Sequence, residues 1–206
     1  MWNKTGSDDP SNDLEDRELL SAFMGGDQSG FNRLVRKYQD MIVSTCVRMA
    51  GNYQDGEDAA QEVFVQVYKH ANKFRGDSEF TTWLYRITMN ICRNQHRSWW
   101  KRLFKSAVHV DRESTSKEGI VPVELVAETP SPADDLDIKR RALKVRNAIR
   151  NLPESQREII VLCDIKEKSY DEICLILGVA LGTVKSRIAR AREALKKELQ
   201  GSPHES

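Results

Sequence analysis

Apolar side chains return every three or four positions on both sides of a proline-bearing stretch that lacks any such period. That pattern constrains the fold more than any other feature. Phe31, Leu34, Val35, Tyr38, Met41, Ile42, Cys46 and Met49 form one helical stripe, stopped by Gly51-Asn52. Ala60, Val63, Phe64, Val67 and Ala71 form a second, which follows Asp55-Gly56 and ends by Gly76. Phe80, Leu84, Ile87 and Ile91 form a third, beginning after Ser78. From Ser106 to Asp137 the chain carries Pro122, Pro130 and Pro132 among Ser, Thr and Glu, and reads as a linker. Beyond it, one helix is expected from about Asp137 to Arg150 and another from Pro153, with Ile159, Ile160 and Leu162 in its core. Ser169-Tyr170-Asp171-Glu172 is a capping-box pattern opening a short helix that ends at Leu177-Gly178, and a last helix runs from about Gly182 to Leu199. No segment alternates long enough for a strand. The expected fold is all-α, two small helical domains (21–105 and 138–200) joined by a flexible acidic linker (106–137). Residues 1–20 are expected to be an acidic extension without fixed structure, and 201–206 a tail.

The formal charge of +1 over 206 residues conceals blocks of opposite sign. Arg86 to Lys105 holds six bases and no acid, with Trp99, Trp100 and Phe104 among them. Asp111 to Asp137 holds eight acids against two bases, and Lys139 to Glu198 holds fifteen bases against eight acids. Two basic domains on an anionic tether suit a nucleic-acid partner. The longest apolar run, Ile159 to Cys163, is far shorter than the ~20 residues of a membrane span. The acidic first twenty residues do not fit a secretory signal. Cys46, Cys92, Cys163 and Cys174 form no CxxC pair and read as reduced thiols of a cytoplasmic protein.

Two constellations carry chemistry. In the last helix Val184, Ile188, Ala191 and Leu195 form a narrow apolar stripe. At 100° per residue, Thr183, Ser186, Arg187 and Arg190 then fall together on the far side, with Lys185 at the flank. With Ile173 and Leu177 facing inward on the preceding helix, this is helix-turn-helix spacing. Such a helix can enter the major groove, where arginine reads guanine and the remaining groups touch phosphate. On the third helix Trp83, Arg86, Asn90, Arg93 and Arg97 line one stripe beside the core face. Arginines one turn apart can track a phosphate backbone while an aromatic stacks on an unpaired base. A merely solvated basic face would carry the same residues in both helices. Cys92 and His96 have zinc-ligand spacing but no second pair, so no metal is expected. The sequence has no GxxxxGK loop, GxSxG elbow or HExxH helix, and neither catalytic residues nor a cofactor is expected.

Three stretches bring a family into view. Asp58-Ala59-Ala60-Gln61-Glu62-Val63-Phe64, then Phe80-Thr81-Thr82-Trp83-Leu84-Tyr85-Arg86-Ile87 followed by Asn90, then Gly182 to Arg192 stand in one order along the chain. In this the chain resembles bacterial RNA polymerase sigma factors of the extracytoplasmic-function (ECF) group. The resemblance implies a dissociable specificity subunit with no catalysis of its own and no small-molecule substrate. Its two domains would be sigma regions 2 and 4. Asp58, Gln61 and Glu62 would face core RNA polymerase. The loop Lys73 to Glu79 would receive a flipped base of promoter DNA. Trp83, Arg86, Asn90, Arg93, Asn94 and Arg97 would melt and hold the −10 element. Thr183, Lys185, Ser186, Arg187 and Arg190 would read the −35 element. Asn94 stands where similar proteins often carry Asp, so a −10 preference does not transfer. The resemblance further implies an anti-sigma factor, often membrane-tethered. The alternative is a stand-alone helix-turn-helix regulator that binds duplex operator DNA unaided.

The linker permits a geometric test. Its 32 residues reach about 105–115 Å when extended but relax to about 31 Å. Two promoter elements two duplex turns apart are ~70 Å distant. The tether bridges them only when stretched, so something must order it.

Overall fold

The computed structural model describes residues 10–107 and 132–201, with side chains over 13–95 and 140–201. Eight α-helices make up the described residues, with no strand among them: α1 (Pro10–Met24), α2 (Gln28–Ala50), α3 (Tyr53–His70), α4 (Phe80–Ala107), α5 (Pro132–Asn151), α6 (Glu154–Ile160), α7 (Tyr170–Leu177) and α8 (Leu181–Gly201). A 3-10 turn (Ala71–Lys73) follows α3, and a π turn (Val161–Ile165) extends α6. The helix ends follow local chemistry. Asp27 caps α2 by accepting from the Ser29 amide at 2.9 Å, and Asn52 caps α3 by accepting from the Asp55 amide at 2.8 Å. Gly51 closes α2 in the left-handed region at φ 86°, where a side chain would be strained. Gly56 lets α3 cross α2 closely, since a Cβ there would lie 2.5 Å from the Val47 Cα.

The acidic beginning is not a tail throughout. Residues 10–24 form α1, contrary to the expectation for 1–20, and its acids are structural. Asp16 is buried and accepts from the Tyr38 hydroxyl and, at 2.5 Å, from Lys37. Tyr38 is thereby held well above its ordinary pKa, first by burial and then by that carboxylate. Asp13 accepts from the Phe80 amide at 2.8 Å and so caps α4 from 67 residues away. These long-range bonds hold α1 where composition suggested disorder. At the other boundary α5 begins at Pro132 rather than near Asp137, with proline at the first helical position. Residues 108–131, most of the expected linker, and the tail 202–206 lie outside the described residues.

The two helical domains share one buried cluster. In the first, Leu34, Ile42, Val63, Phe80, Leu84 and Met89 are sealed between α2, α3 and α4; in the second, Ile159, Leu162, Ile173, Val184 and Ile188 are sealed between α6, α7 and α8. Ile176, rather than Leu177, is the second buried residue of α7, because Leu177 sits at the turn and stays half-exposed. The second domain packs directly onto α2 and α4 of the first, and this closed arrangement governs what the functional residues can do.

Candidate nucleic-acid and polymerase interfaces

On α3 the inward stripe is Ala59, Ala60, Val63 and Val67, with Phe64 packed at its margin. Asp58 and Gln61 are exposed and Glu62 half-exposed on the opposite side. Glu62 accepts from Gln66 at 2.6 Å, which fixes its carboxylate along the helix. The same outer stripe continues through Val65 and Tyr68, which are 42% and 49% exposed. Sequence reasoning missed both because apolar residues on a helix are assigned to the core by default. Their i+3 and i+7 offsets from Gln61–Glu62 were the available signal. Tyr68 also packs against Phe23 and Phe31, at 4.9 and 5.2 Å between ring centroids.

The approach to α4 is held from α1. Arg17 donates to the carbonyls of Gly76 and Ser78 at 3.1 and 3.3 Å, ion-pairs with Asp13 at 2.7 Å and lies over the Phe74 ring. Gly76 has φ 76°, and a Cβ there would meet the Arg17 guanidinium at 2.5 Å. The Lys73–Glu79 loop is therefore shaped by Asp13 and Arg17, which the sequence alone did not connect with it.

Along α4 the expected stripe divides. Trp83 is half-buried in an aromatic group with Phe74 (5.4 Å) and Phe80 (5.8 Å). Asn90 and Asn94 are exposed. Arg86 turns to the second domain and donates through Nε and Nη2 to the Leu175 carbonyl at 3.1 and 2.7 Å. Arg93 forms an ion pair at 2.9 Å with Glu158, which is 2% exposed. The side chain of Arg97 lies outside the described residues. The single outward stripe expected from helical spacing is thus not wholly open. Tyr85, Thr88, Met89 and Cys92 are buried as well as Phe80, Leu84 and Ile91, because α4 is packed on one side by its own domain and on another by α7. Cys92 sits with its sulfur 3.9 Å from that of Cys46, and this contact, followed by burial, raises Cys46 far above the ordinary thiol pKa.

Other bonds hold the two domains together. Arg157 is buried and donates to the Met49 carbonyl at 2.5 Å, across the interface, and to those of Arg150 and Leu152 within its own domain. Lys166 donates to Ser44 Oγ at 2.8 Å, and burial, then the nearby Arg48 charge, lowers its pKa to about 8. Glu158 is held above the usual carboxylate range by burial, with the Arg93 charge opposing the shift.

In the helix-turn-helix the capping box forms as expected. Glu172 Oε2 accepts from the Ser169 amide and Ser169 Oγ accepts from the Glu172 amide, at 2.8 and 3.2 Å. Gly178 turns the chain at φ 67°. On α8, Lys185, Ser186 and Arg190 are exposed, whereas Thr183 and Arg187 are half-buried. The reason is α6, which leans on that flank, so these two residues do not share the open face that the helical wheel gave them. Gly182 and Ala189 complete the open face instead. Arg192 is committed to Asp164, at 2.5 Å.

Comparison with known proteins fits this geometry. Residues 34–102 match the family model for Sigma-70 region 2, and residues 142–195 match that for Sigma-70, region 4. Over 176 residues the chain is 38% identical to the ECF RNA polymerase sigma factor SigW of Bacillus subtilis, covering 85% of this chain and 91% of that one. It is 35% identical to the ECF RNA polymerase sigma-E factor of Escherichia coli K12, covering 92% and 97%. The solved structure of CnrH in complex with the cytosolic domain of CnrY matches with a TM-score of 0.63 at 25% identity, over 92% of this chain and 99% of that one. The sigma factor RpoE of Bartonella quintana, solved in complex with the anti-sigma factor NepR, shares the fold at a TM-score of 0.61 and 24% identity, over 84% and 98%. The chain belongs to the ECF group of the sigma-70 family of RNA polymerase sigma factors.

Among the described residues no helix is long and apolar enough to cross a membrane, and no cluster of three or more His, Cys, Asp or Glu could hold a metal ion.

Proposed function

We propose that this sigma factor is inert to the −10 element while closed, and becomes a promoter reader when core RNA polymerase separates its two regions. Asp58, Gln61 and Glu62, continued by Val65 and Tyr68, form the polymerase-facing stripe of α3. A polar stripe with an exposed aromatic suits a partner helix surface. With the regions separated, Arg86 and Arg93 lose Leu175 and Glu158 and join Asn90, Asn94 and Arg97 in holding the opened strand. Trp83 stands at the head of that row. Melting needs no ATPase, since unstacking costs a few kcal/mol and capture of the single strand offsets it. Lys185, Ser186 and Arg190 read the −35 duplex. The chain has no catalytic step of its own and acts in the cytoplasm.

The observation that carries this reading is the engagement of Arg86 and Arg93 by region 4. Both belong to the strand-holding row, and both are bonded across the domain interface. An anti-sigma factor, in a membrane-tethered form or not, would act by holding the regions closed. Run-off transcription from a promoter library with purified core polymerase tests the reading. Start sites that appear only with the chain, sharing spaced −35 and −10 elements, are the expected result. No new start sites, together with tight unaided binding to duplex DNA, would overturn it in favour of a stand-alone regulator.

A further inference from the structure

Cations from both regions converge on the C-terminal end of α2. Arg48 donates to the Ser44 carbonyl at 3.0 Å, while Lys166 of the π turn donates to Ser44 Oγ at 2.8 Å and to the Met41 carbonyl at 3.4 Å. One residue thus carries a cation from each region. Helix α5 brings two more. The stem of Arg150 lies on Gly51, where a Cβ would meet its Cγ and Cδ at 2.6 Å, and Arg146 stands one turn earlier, beside Arg48. Carbonyls at the end of a helix attract cations, so α2 itself answers part of this charge. The remainder is unanswered. After burial, the Arg146 charge lowers Arg48 and the Arg48 charge lowers Lys166. Among the described residues no carboxylate pairs with Arg48, Arg146 or Lys166, and Arg146 makes no hydrogen bond. Acids of the same helices are engaged elsewhere: Glu172 with Lys168 and the Ser169 amide, Glu158 with Arg93 and the Arg187 charge, and Glu154 beside Arg157.

Like charges gathered at an interface oppose its closing unless an anion lies between them. Arg48, Arg146 and Lys166 are each half-exposed, so small solutes can reach them. Chloride offers one charge and no directed bond. A phosphate-type oxyanion presents several oxygens to guanidinium forks and an ammonium at once, and three cations favour one that is multiply charged. The ring beside Arg48, Tyr85, is buried, so it offers no face on which a base could stack. We infer that this seam binds one condensed phosphate anion, diphosphate or longer, through Arg48 of region 2 and Arg146 and Lys166 of region 4. Arg48 meets the other two only in the closed arrangement, so the bound anion holds the chain in its masked form. The closed state thereby gains a chemical effector. The inference rests on the function proposed above only in taking that state as the inert one.

The probe is inorganic triphosphate, titrated by calorimetry into the full chain at fixed ionic strength. One saturable site per chain is expected. Arg146→Gln, which breaks no native bond, should weaken binding about 10-fold, and Arg48→Gln should do the same. ATP should bind no more tightly than the inorganic anion. Arg86→Ala removes a closing bond outside the seam and so leaves room for closure to increase. In that variant, triphosphate at 100 times its Kd should raise the closed-to-open ratio about 100-fold, seen as rising energy transfer between fluorophores on α3 and α8. No saturable binding beyond that of chloride at equal ionic strength would overturn the site. Binding that neither Arg146→Gln nor Arg48→Gln weakens would also overturn it, by placing the anion on other arginines, those of α8 included. A marked preference for ATP would mean that a base is read, and binding without a rise in energy transfer would remove the bridge between regions; either result defeats the proposal. Run-off transcription decides the promoter reading separately. A chain that binds triphosphate at the seam yet gives no start sites would lose that reading and keep the site.

Discussion

Region 2 and region 4 each carry a basic helix, and the two are not equally available. On α4 the arginines at positions 86 and 93 are bonded to region 4, and the helix is buried on two sides. On α8 the open face keeps Lys185, Ser186 and Arg190 in solvent, and only its flank is covered, by a helix of its own region. A duplex reader needs only a protruding helix, whereas a single-strand holder needs a cleft that would bind any unpaired nucleic acid if left open. On the reading proposed above, masking α4 and leaving α8 exposed would let duplex DNA touch the chain while strand capture waits for the polymerase. The contrast is a matter of packing, since both helices have the same kinds of residue at the same spacing.

The largest expected effect comes from treating the regions as separable folding units. Phe80 is sealed against Tyr38, Phe74 and Trp83, and Phe80→Ala should cost region 2 about 3–5 kcal/mol. All four tryptophans (Trp2, Trp83, Trp99, Trp100) precede the linker, so their fluorescence follows region 2 alone while far-UV circular dichroism follows both regions. In urea the fluorescence transition should move to lower denaturant and leave a later dichroism phase in place. A single transition moving as one would show that the interface, not each core, sets stability.

Next comes the latch. Glu158→Lys sets a cation against Arg93 in place of a buried carboxylate. Losing one partner of a buried pair costs about 3–5 kcal/mol, reduced to roughly 2–3 here because Arg93 remains about a third exposed. The closed-to-open ratio should fall roughly 30- to 150-fold. Energy transfer between fluorophores on α3 and α8 should drop, and single-strand binding by the free chain should rise. Unchanged energy transfer would remove the masking that distinguishes the two helices.

A smaller effect belongs to region 4 alone. Ser169→Ala breaks the capping box of α7 and should cost about 1 kcal/mol of region 4 stability. The later dichroism phase should shift while tryptophan fluorescence does not.

These residues also show what could be read without coordinates. The capping box at Ser169, the stop at Gly51 and the apolar stripes of α2, α3 and α8 depend on neighbours a few positions away, and the sequence displays them directly. Helix α1 escaped because its acids resemble a solvated tail until Asp13 is seen to bond the Phe80 amide and Asp16 to accept from Tyr38. The site residues divide in the same way. Spacing alone put Arg86 and Arg93 on one row, but nothing local reveals that Leu175 and Glu158, 89 and 65 positions away, close over them. Thr183 and Arg187 were assigned the right helix and the wrong exposure, because a helical wheel does not know where α6 lies.

The finest test of the contrast is pH, acting through Lys166. Closed, its ammonium is half-buried at the region interface with a pKa near 8; separated and in water it should return toward ~10.4. Below pH 8 the lysine is charged in both states, and the closed form bears the full cost of burying that charge. Between about pH 8 and 10.4 the closed form has released the proton while the open form still holds it, so closing releases a proton and rising pH favours it. The free chain should therefore close roughly 15-fold more tightly at pH 9.5 than at pH 8, seen as rising energy transfer between the regions. Lys166→Met, which removes the titrating group and keeps its stem, should flatten that rise. Region 4's own duplex affinity, with Lys166 remote from the open face of α8, should show no matching step attributable to this residue. If closure instead weakened across that window, Lys166 would not be the buried cation of the interface, and the masking of α4 would rest on Arg86, Arg93 and Arg157 alone.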